Sequence, residues 1–154
     1  MAVTLLSALP YVAGLGAMIW NGWHSDRTGE RRWHTSFPLF LGAGCLAVAI
    51  RWSAHLPLAF LCMVIVGACT TAFMPSFWAL PTAILSESAA AAAIGLINSV
   101  ANLGGFAGPF FIGYLRTRTN SFAPGLVLLL ICMVLAGMLA LLLHVPRTLE
   151  RTPD

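Results

Sequence analysis

Two groups of side chains in this chain have types and spacings that could do chemistry. The first is the run Gly22-Trp23-His24-Ser25-Asp26-Arg27-Thr28-Gly29-Glu30-Arg31-Arg32, which places two carboxylates among three arginines at the end of an apolar stretch. A carboxylate there, on the last turn of a helix, faces the negative end of the helix dipole. Asp26 therefore needs a compensating partner: Arg27, Arg31, or the free N–H groups of a helix starting near Ser88, with Ser86 or Ser88 as its N-cap. Paired in that way, the loop is a charge latch built from Gly22, Asp26, Arg27, Gly29, Arg31 and Arg32. The second group is Asn98 and Asn102, four residues apart and so on one helical face, at mid-depth in an uncharged run. Amides at that depth face a bundle interior or a wet cavity rather than lipid. They bond either to neighbouring helices or to the carboxylate or hydroxyl of a bound solute.

Other chemistries are not supported. His24 and His34 are ten apart, with no Glu at H-E-x-x-H spacing and no Ser or Asp placed as a partner, so loop solvation accounts for them. Cys45, Cys62, Cys69 and Cys132 each lie in an apolar run without a C-x-x-C pair, as buried thiols do. No enzyme, metal or cofactor is expected.

The elements that position these residues follow from the charges. The chain is 59% hydrophobic and 8% charged, with a net charge of +3 carried by arginine alone among its long basic side chains, and its mean hydropathy is +0.88. A soluble domain is roughly a quarter charged, and these few scattered arginines do not form a nucleic-acid surface. The charges leave uncharged stretches at 1–25, 33–50, 52–86, 88–115 and 119–146. A membrane-crossing helix needs about 20 apolar residues, so the pattern predicts an all-α, polytopic membrane protein with one domain over 1–154. Its helices are expected at about 3–23, 37–53, 57–79, 89–115 and 123–145. The third stretch contains Pro75 and Pro81 and is expected to run helically to about Leu80 before a turn. Arg27, Arg31, Arg32, Arg147 and Arg151 fall on one side of the bilayer, against Arg51, Arg116 and Arg118 on the other, which favours a cytoplasmic first loop and C-terminus.

Tyr11, Ser76 and Trp78 could line the same cavity as the asparagines, although aromatic residues near helix ends are also interfacial anchors. Gly104 and Gly108 form a G-x-x-x-G pair, with Gly105 between them and Pro109 next to it, a pattern that lets helices pack closely or bend.

The loop sequence resembles the cytoplasmic loop signature of the major facilitator superfamily, found after the second helix and more weakly after the eighth; Glu30 departs from the basic residue usual there. The wording Asp26-Arg27-Thr28-Gly29-Glu30-Arg31-Arg32 is similar to the second copy in the anion:cation symporter branch, which handles tartrate-, glucarate- and phthalate-like anions. Pro75-Ser76-Phe77-Trp78-Ala79-Leu80-Pro81-Thr82 resembles that branch's tenth helix, and Ala89–Ala93 with Gly95-Leu96-Ile97-Asn98-Ser99 and Asn102-Leu103-Gly104-Gly105-Phe106-Ala107-Gly108-Pro109 resembles its eleventh. The resemblance implies helices eight to twelve of a twelve-helix transporter of the inner membrane. It implies a small organic anion and H+ as partners of the intact protein, alongside the lipid bilayer and an N-terminal transporter half. It also implies substrate contact at Asn98, where family members similar in this motif place the matching asparagine. No Asp, Glu, Lys or Arg lies deep in these helices, so a coupling carboxylate and an anion-holding arginine are expected outside this chain. The alternative is a helix-packing membrane module, or an inactive truncated product, that transports nothing.

Overall fold

The structure is a computed structural model that describes residues 2–143. Six helices follow one another with short connections: α1 (Ala2–Thr28), α2 (Arg31–Arg51), α3 (Leu56–Ala72), α4 (Met74–Ile84), α5 (Glu87–Thr119) and α6 (Ala123–Leu142), and there is no strand among the described residues. The fold is all-α, as the spacing of charges predicts.

The ends of the helices have local causes. Gly29 adopts φ 68°, a left-handed conformation that glycine takes without the steric cost of a Cβ, and it alone with Glu30 turns the chain between α1 and α2. Glu30 then caps α2, its carboxylate accepting the Trp33 N–H at 2.8 Å. Pro57 and Pro124 stand in the first turns of α3 and α6, where a missing N–H costs nothing. Asn120, at φ 53°, ends α5 in the left-handed region that asparagine tolerates.

Two boundaries differ from expectation in ways that matter for the site. The first helix runs on to Thr28 and the second begins at Arg31, so Asp26 and Arg27 occupy the last turn of α1 and Arg31 and Arg32 the first turn of α2 rather than a loop. The third stretch breaks at Phe73 instead of after Leu80. Pro75 has no N–H to continue α3, yet its fixed φ suits the first turn of a new helix, and α4 then carries Pro81 within it to Ile84. The segments Arg31–Arg51, Leu56–Ile84, Glu87–Thr119 and Ala123–Leu142 are each long and apolar enough to cross a membrane. α1 has the length, 27 residues or roughly 40 Å at about 1.5 Å per residue, but ends in polar side chains. Residues 144–145 of the expected last helix, Arg147, Arg151 and the C-terminus lie outside the described residues.

α2 is the central helix, packed against α3, α4 and α6, while α1 lies along α3. The buried apolar residues concentrate accordingly: Leu39, Ala43, Leu46 and Ala49 on α2, with Cys62 and Cys69 from α3 and Leu80 from α4. α5 touches only α4 and α6 substantially, and of its 33 residues Ala90 alone is buried. A row of large apolar side chains, among them Leu96, Val100, Leu103, Phe106 and Phe110, is left exposed along it.

Candidate functional site

The junction of α1, α2 and the α3–α4 break is where polar groups are buried. Asn21, 5% exposed, donates one amide hydrogen to the His34 carbonyl and the other to the Ala72 carbonyl, both at 2.8 Å. Each acceptor lacks a normal helical donor for a sequence reason. The residue four beyond His34 is Pro38, which has no N–H, and Ala72 is the last residue of α3. One side chain on α1 thus satisfies carbonyls of two other helices. Beside it, Gly22 lets α4 approach: a Cβ there would lie 3.1 Å from the Pro75 Cβ.

His24 and His34 meet at this junction, contrary to the expectation that loop solvation accounts for them. His24 Nδ1 lies 2.6 Å from His34 Nε2, and His34 Nδ1 contacts the Glu30 carbonyl oxygen. A carbonyl can only accept, so His34 carries a hydrogen on Nδ1, and with His34 as a neutral imidazole its Nε2 accepts from His24 Nδ1–H. Trp20 stacks on His24 with ring centroids 5.5 Å apart. The half-turn loop is further tied by Ser25, buried, whose hydroxyl donates to the Glu30 carbonyl at 3.2 Å.

Of the partners considered for Asp26, the structure selects Arg31, at 3.3 Å, and not the start of α5. Arg27 instead stacks over the Trp23 ring at 4.8 Å. Arg32 reaches across to donate to the Leu141 carbonyl of α6, closing α2 onto α6 at the same end of the bundle. Gly22, Asp26, Arg27, Gly29, Arg31 and Arg32 therefore share one end of the molecule, but the ion pair within them is a solvent-facing one, Asp26 being 70% exposed.

The residues expected to touch substrate are not gathered into one cavity. Asn98 and Asn102 share a face of α5, and that face is exposed rather than turned into the bundle. Asn102 donates to the Asn98 carbonyl at 2.9 Å, while the Asn98 amide has no hydrogen-bond partner among the described residues. Tyr11 is exposed on α1. Ser76 is fully buried with its hydroxyl unpaired, and Trp78, two residues on, helps to line an apolar cavity of about 500 Å³ between α2, α4, α5 and α6. Ile97 and Ala101, each one position before an asparagine, line that cavity, so Asn98 and Asn102 sit on the adjoining face of α5. Gly104, Gly105 and Gly108 meet nothing within 4 Å where a Cβ would stand, and Pro109 lies beside them on the exposed surface. The close helix crossings of this chain are made by other glycines, chiefly Gly14 and Gly67 between α1 and α3.

Sequence reasoning missed Asn21, His24 with His34 as a pair, and the cavity. The signal for Asn21 was present: a lone amide in an apolar helix, in a chain whose Pro38 leaves a carbonyl in need of a donor.

The sequence profile of the Major Facilitator Superfamily matches residues 1–154. A putative tartrate transporter of Agrobacterium vitis is 40% identical over 92% of this chain and 32% of its own length. A quinolone resistance transporter of Acinetobacter baumannii is 34% identical, and the inner membrane transport protein RhmT of Escherichia coli 32%, each over 97% of this chain and 34% of the relative. The chain thus spans about a third of the curated relatives it matches. No solved structure matches it. The family profile covers the same end-to-end string that forms the loop junction, the broken helix and the asparagine face, and on that match the chain belongs to the Major Facilitator Superfamily.

Proposed function

We propose that this chain supplies helices eight to twelve of a secondary transporter for a small organic anion such as a sugar acid or dicarboxylate, a role that carries no enzymatic activity. The observation that carries the reading is the family match together with relatives described as putative tartrate transporters. The transporter works by rocking two bundles about a site near the middle of the membrane, with H+ as the coupling ion. It lies in the inner membrane with the α1–α2 junction on the cytoplasmic face, which the arginine distribution supports. The rest of the transporter supplies the coupling carboxylate and a cation for the substrate anion. Gly104, Gly105, Gly108 and Pro109, which lie open on this chain, pack against helices contributed by that remainder.

Asn98 is the substrate-contacting residue of this chain, since its amide is exposed on α5 and has no partner among the described residues. Asn102, Ser76, Trp78 and Tyr11 have secondary places along the same pathway. A hydrogen bond to a charged group is worth about 1.5–3 kcal/mol, so Asn98→Ala in the whole transporter is expected to raise the KM for dicarboxylate uptake about tenfold or more. Uptake of labelled tartrate into proteoliposomes measures this, and an unaltered KM returns Asn98 to a packing role. If wild-type vesicles take up no organic anion at all, the transport reading itself fails.

The α1–α2 junction acts on rate instead. The exposed Asp26–Arg31 pair contributes little to stability, less than about 1 kcal/mol. Asp26→Asn should therefore leave the unfolding midpoint nearly unchanged while slowing turnover, because the latch must form and break once per cycle. Turnover equal to wild type at saturating substrate rejects the latch.

A further inference from the structure

We propose that His24 and His34 form a proton-operated catch: the α1–α2 junction stays closed while the pair carries at most one added proton, and opens when it carries two. Imidazole is the side chain whose charge ordinarily changes between about pH 5 and 8. Here two of them face each other, His24 Nδ1 lying 2.6 Å from His34 Nε2 with the ring centroids 4.9 Å apart. Hydrogen counting sets how many protons this arrangement holds. With both rings neutral, His34 Nδ1–H donates to the Glu30 carbonyl, His34 Nε2 accepts from His24 Nδ1–H, and His24 Nε2 is left with a free lone pair. One added proton fits on His24 Nε2 and breaks nothing. A second must go to His34 Nε2, since the Nδ1 of that ring already carries a hydrogen. One N–H then points at another across the same short gap, between two cations, and neither ring has a lone pair left to accept. The attraction becomes a repulsion and the rings part.

The surrounding groups decide which side moves. His34 is held on α2 by the Glu30 carbonyl and lies 3.8 Å from the Glu30 carboxylate, which itself caps that helix. The other charged groups of the junction are the paired Asp26 and Arg31, Arg27 on the Trp23 ring and Arg32 on the Leu141 carbonyl. Of the helices packed against α1 and α2, α3 and α6 contribute only thiols, Cys62, Cys69 and Cys132, and α4 has no titratable group. No anion from these helices therefore stands ready to hold two imidazolium rings together. His24 departs with the last turn of α1, and its stacking on Trp20, the Ser25 bond to the Glu30 carbonyl and the Asp26–Arg31 pair are given up with it. Asn21, bonded to the His34 and Ala72 carbonyls, holds α1 one turn further back and confines the opening to the helix end. The open junction binds one proton more than the closed one, so acidification favours opening and a rise in pH restores closure. The catch belongs to the junction itself and does not depend on which solute the transporter carries.

Two measurements on the full 154-residue chain in detergent micelles test it. In chain labelled with 15N-histidine, scalar coupling across the N–H···N bond between His24 and His34 should be present at about pH 8 and lost at about pH 5, where both rings give imidazolium signals. Hydrogen–deuterium exchange over the last turn of α1, corrected for the intrinsic effect of pH, should show the opening equilibrium rising by up to about tenfold per pH unit as the second proton is taken up. His24→Gln keeps an N–H donor for His34 Nε2 but takes up no proton, so its corrected exchange should be flat over the same range. Coupling that persists when both rings are imidazolium, or that is absent at pH 8, overturns the proposal, as does a pH-dependent opening in His24→Gln equal to that of the wild type. Should His24→Gln fail to fold, the coupling measured in the wild-type chain decides alone.

Discussion

Asn21→Leu should lower the stability of the helical bundle by roughly 1–3 kcal/mol, measured as a shifted midpoint of unfolding in mixed micelles. The leucine keeps the branched shape and heavy-atom count of the asparagine, with bulkier methyl groups, so no cavity opens and the loss reflects chiefly the two hydrogen bonds. Interhelical hydrogen bonds in membranes average about 0.6 kcal/mol and reach about 1.7, while a buried carbonyl left without any donor costs about 1–3. The larger figure governs here, because the His34 and Ala72 carbonyls have no helical donor to fall back on. The mechanism can be separated from simple repacking. Pro38→Ala restores an N–H four residues after His34, so in that background Asn21→Leu should cost only about half as much, the remaining loss being that of Ala72. An Asn21→Leu penalty that is the same in both backgrounds would show that the amide does not act by replacing the hydrogen bond lost at Pro38. No change in midpoint at all would show that the bonds carry no net stability.

This pairing also marks the limit of what the residues alone disclose. The helices were legible because thirteen charges in a chain of 154 leave no other place for turns, and the junction was legible because Gly29 and the residues around it have no other physical use. What the sequence did not disclose depends on side chains far apart in the chain. Asn21 and Ala72 are separated by the whole of α2 and the length of α3, and nothing local says that α3 ends at Ala72 rather than after Leu80. Pro75 and Pro81 both announce a break; only the close approach at Gly22 favours the first of them. Asp26 was legible as needing a partner, but the choice of Arg31 over the start of α5 depended on α2 beginning two residues after Gly29. The asparagine face of α5 was legible as a polar stripe, and its exposure was not. Periodicity fixes which residues share a face, while which way that face turns is set by what the remaining helices cover.

Glycine spacing misleads for the same reason, and a pair of substitutions separates pattern from contact. Gly67→Leu is expected to destabilise the bundle by about 1–3 kcal/mol, the usual cost of forcing atoms into a filled core. A Cβ on Gly67 would stand 2.7 Å from the Pro10 Cβ, and one on Gly14 would stand 2.5 Å from the Thr71 hydroxyl oxygen. The two contacts are reciprocal: each helix offers a glycine to a side chain four residues from the other's glycine. Neither side chain can move aside freely, because the proline ring is rigid and the Thr71 hydroxyl is bonded to the Ala68 carbonyl at 2.9 Å. α1 must therefore shift away from α3, loosening the register that seats Asn21 on Ala72 one end further along. Gly104→Leu is the matched control, in the G-x-x-x-G pair that sequence pattern alone would rank first. Its new side chain meets nothing within 4 Å, and leucine favours helix over glycine by roughly 0.8 kcal/mol, so the isolated chain should be unchanged or slightly more stable. Loss of stability in Gly104→Leu comparable to that in Gly67→Leu would mean that α5 packs against the bundle through its glycine face, against the arrangement described. In the whole transporter the same Gly104→Leu should instead impair transport, since the face that is open on this chain is the one proposed to meet the other helices.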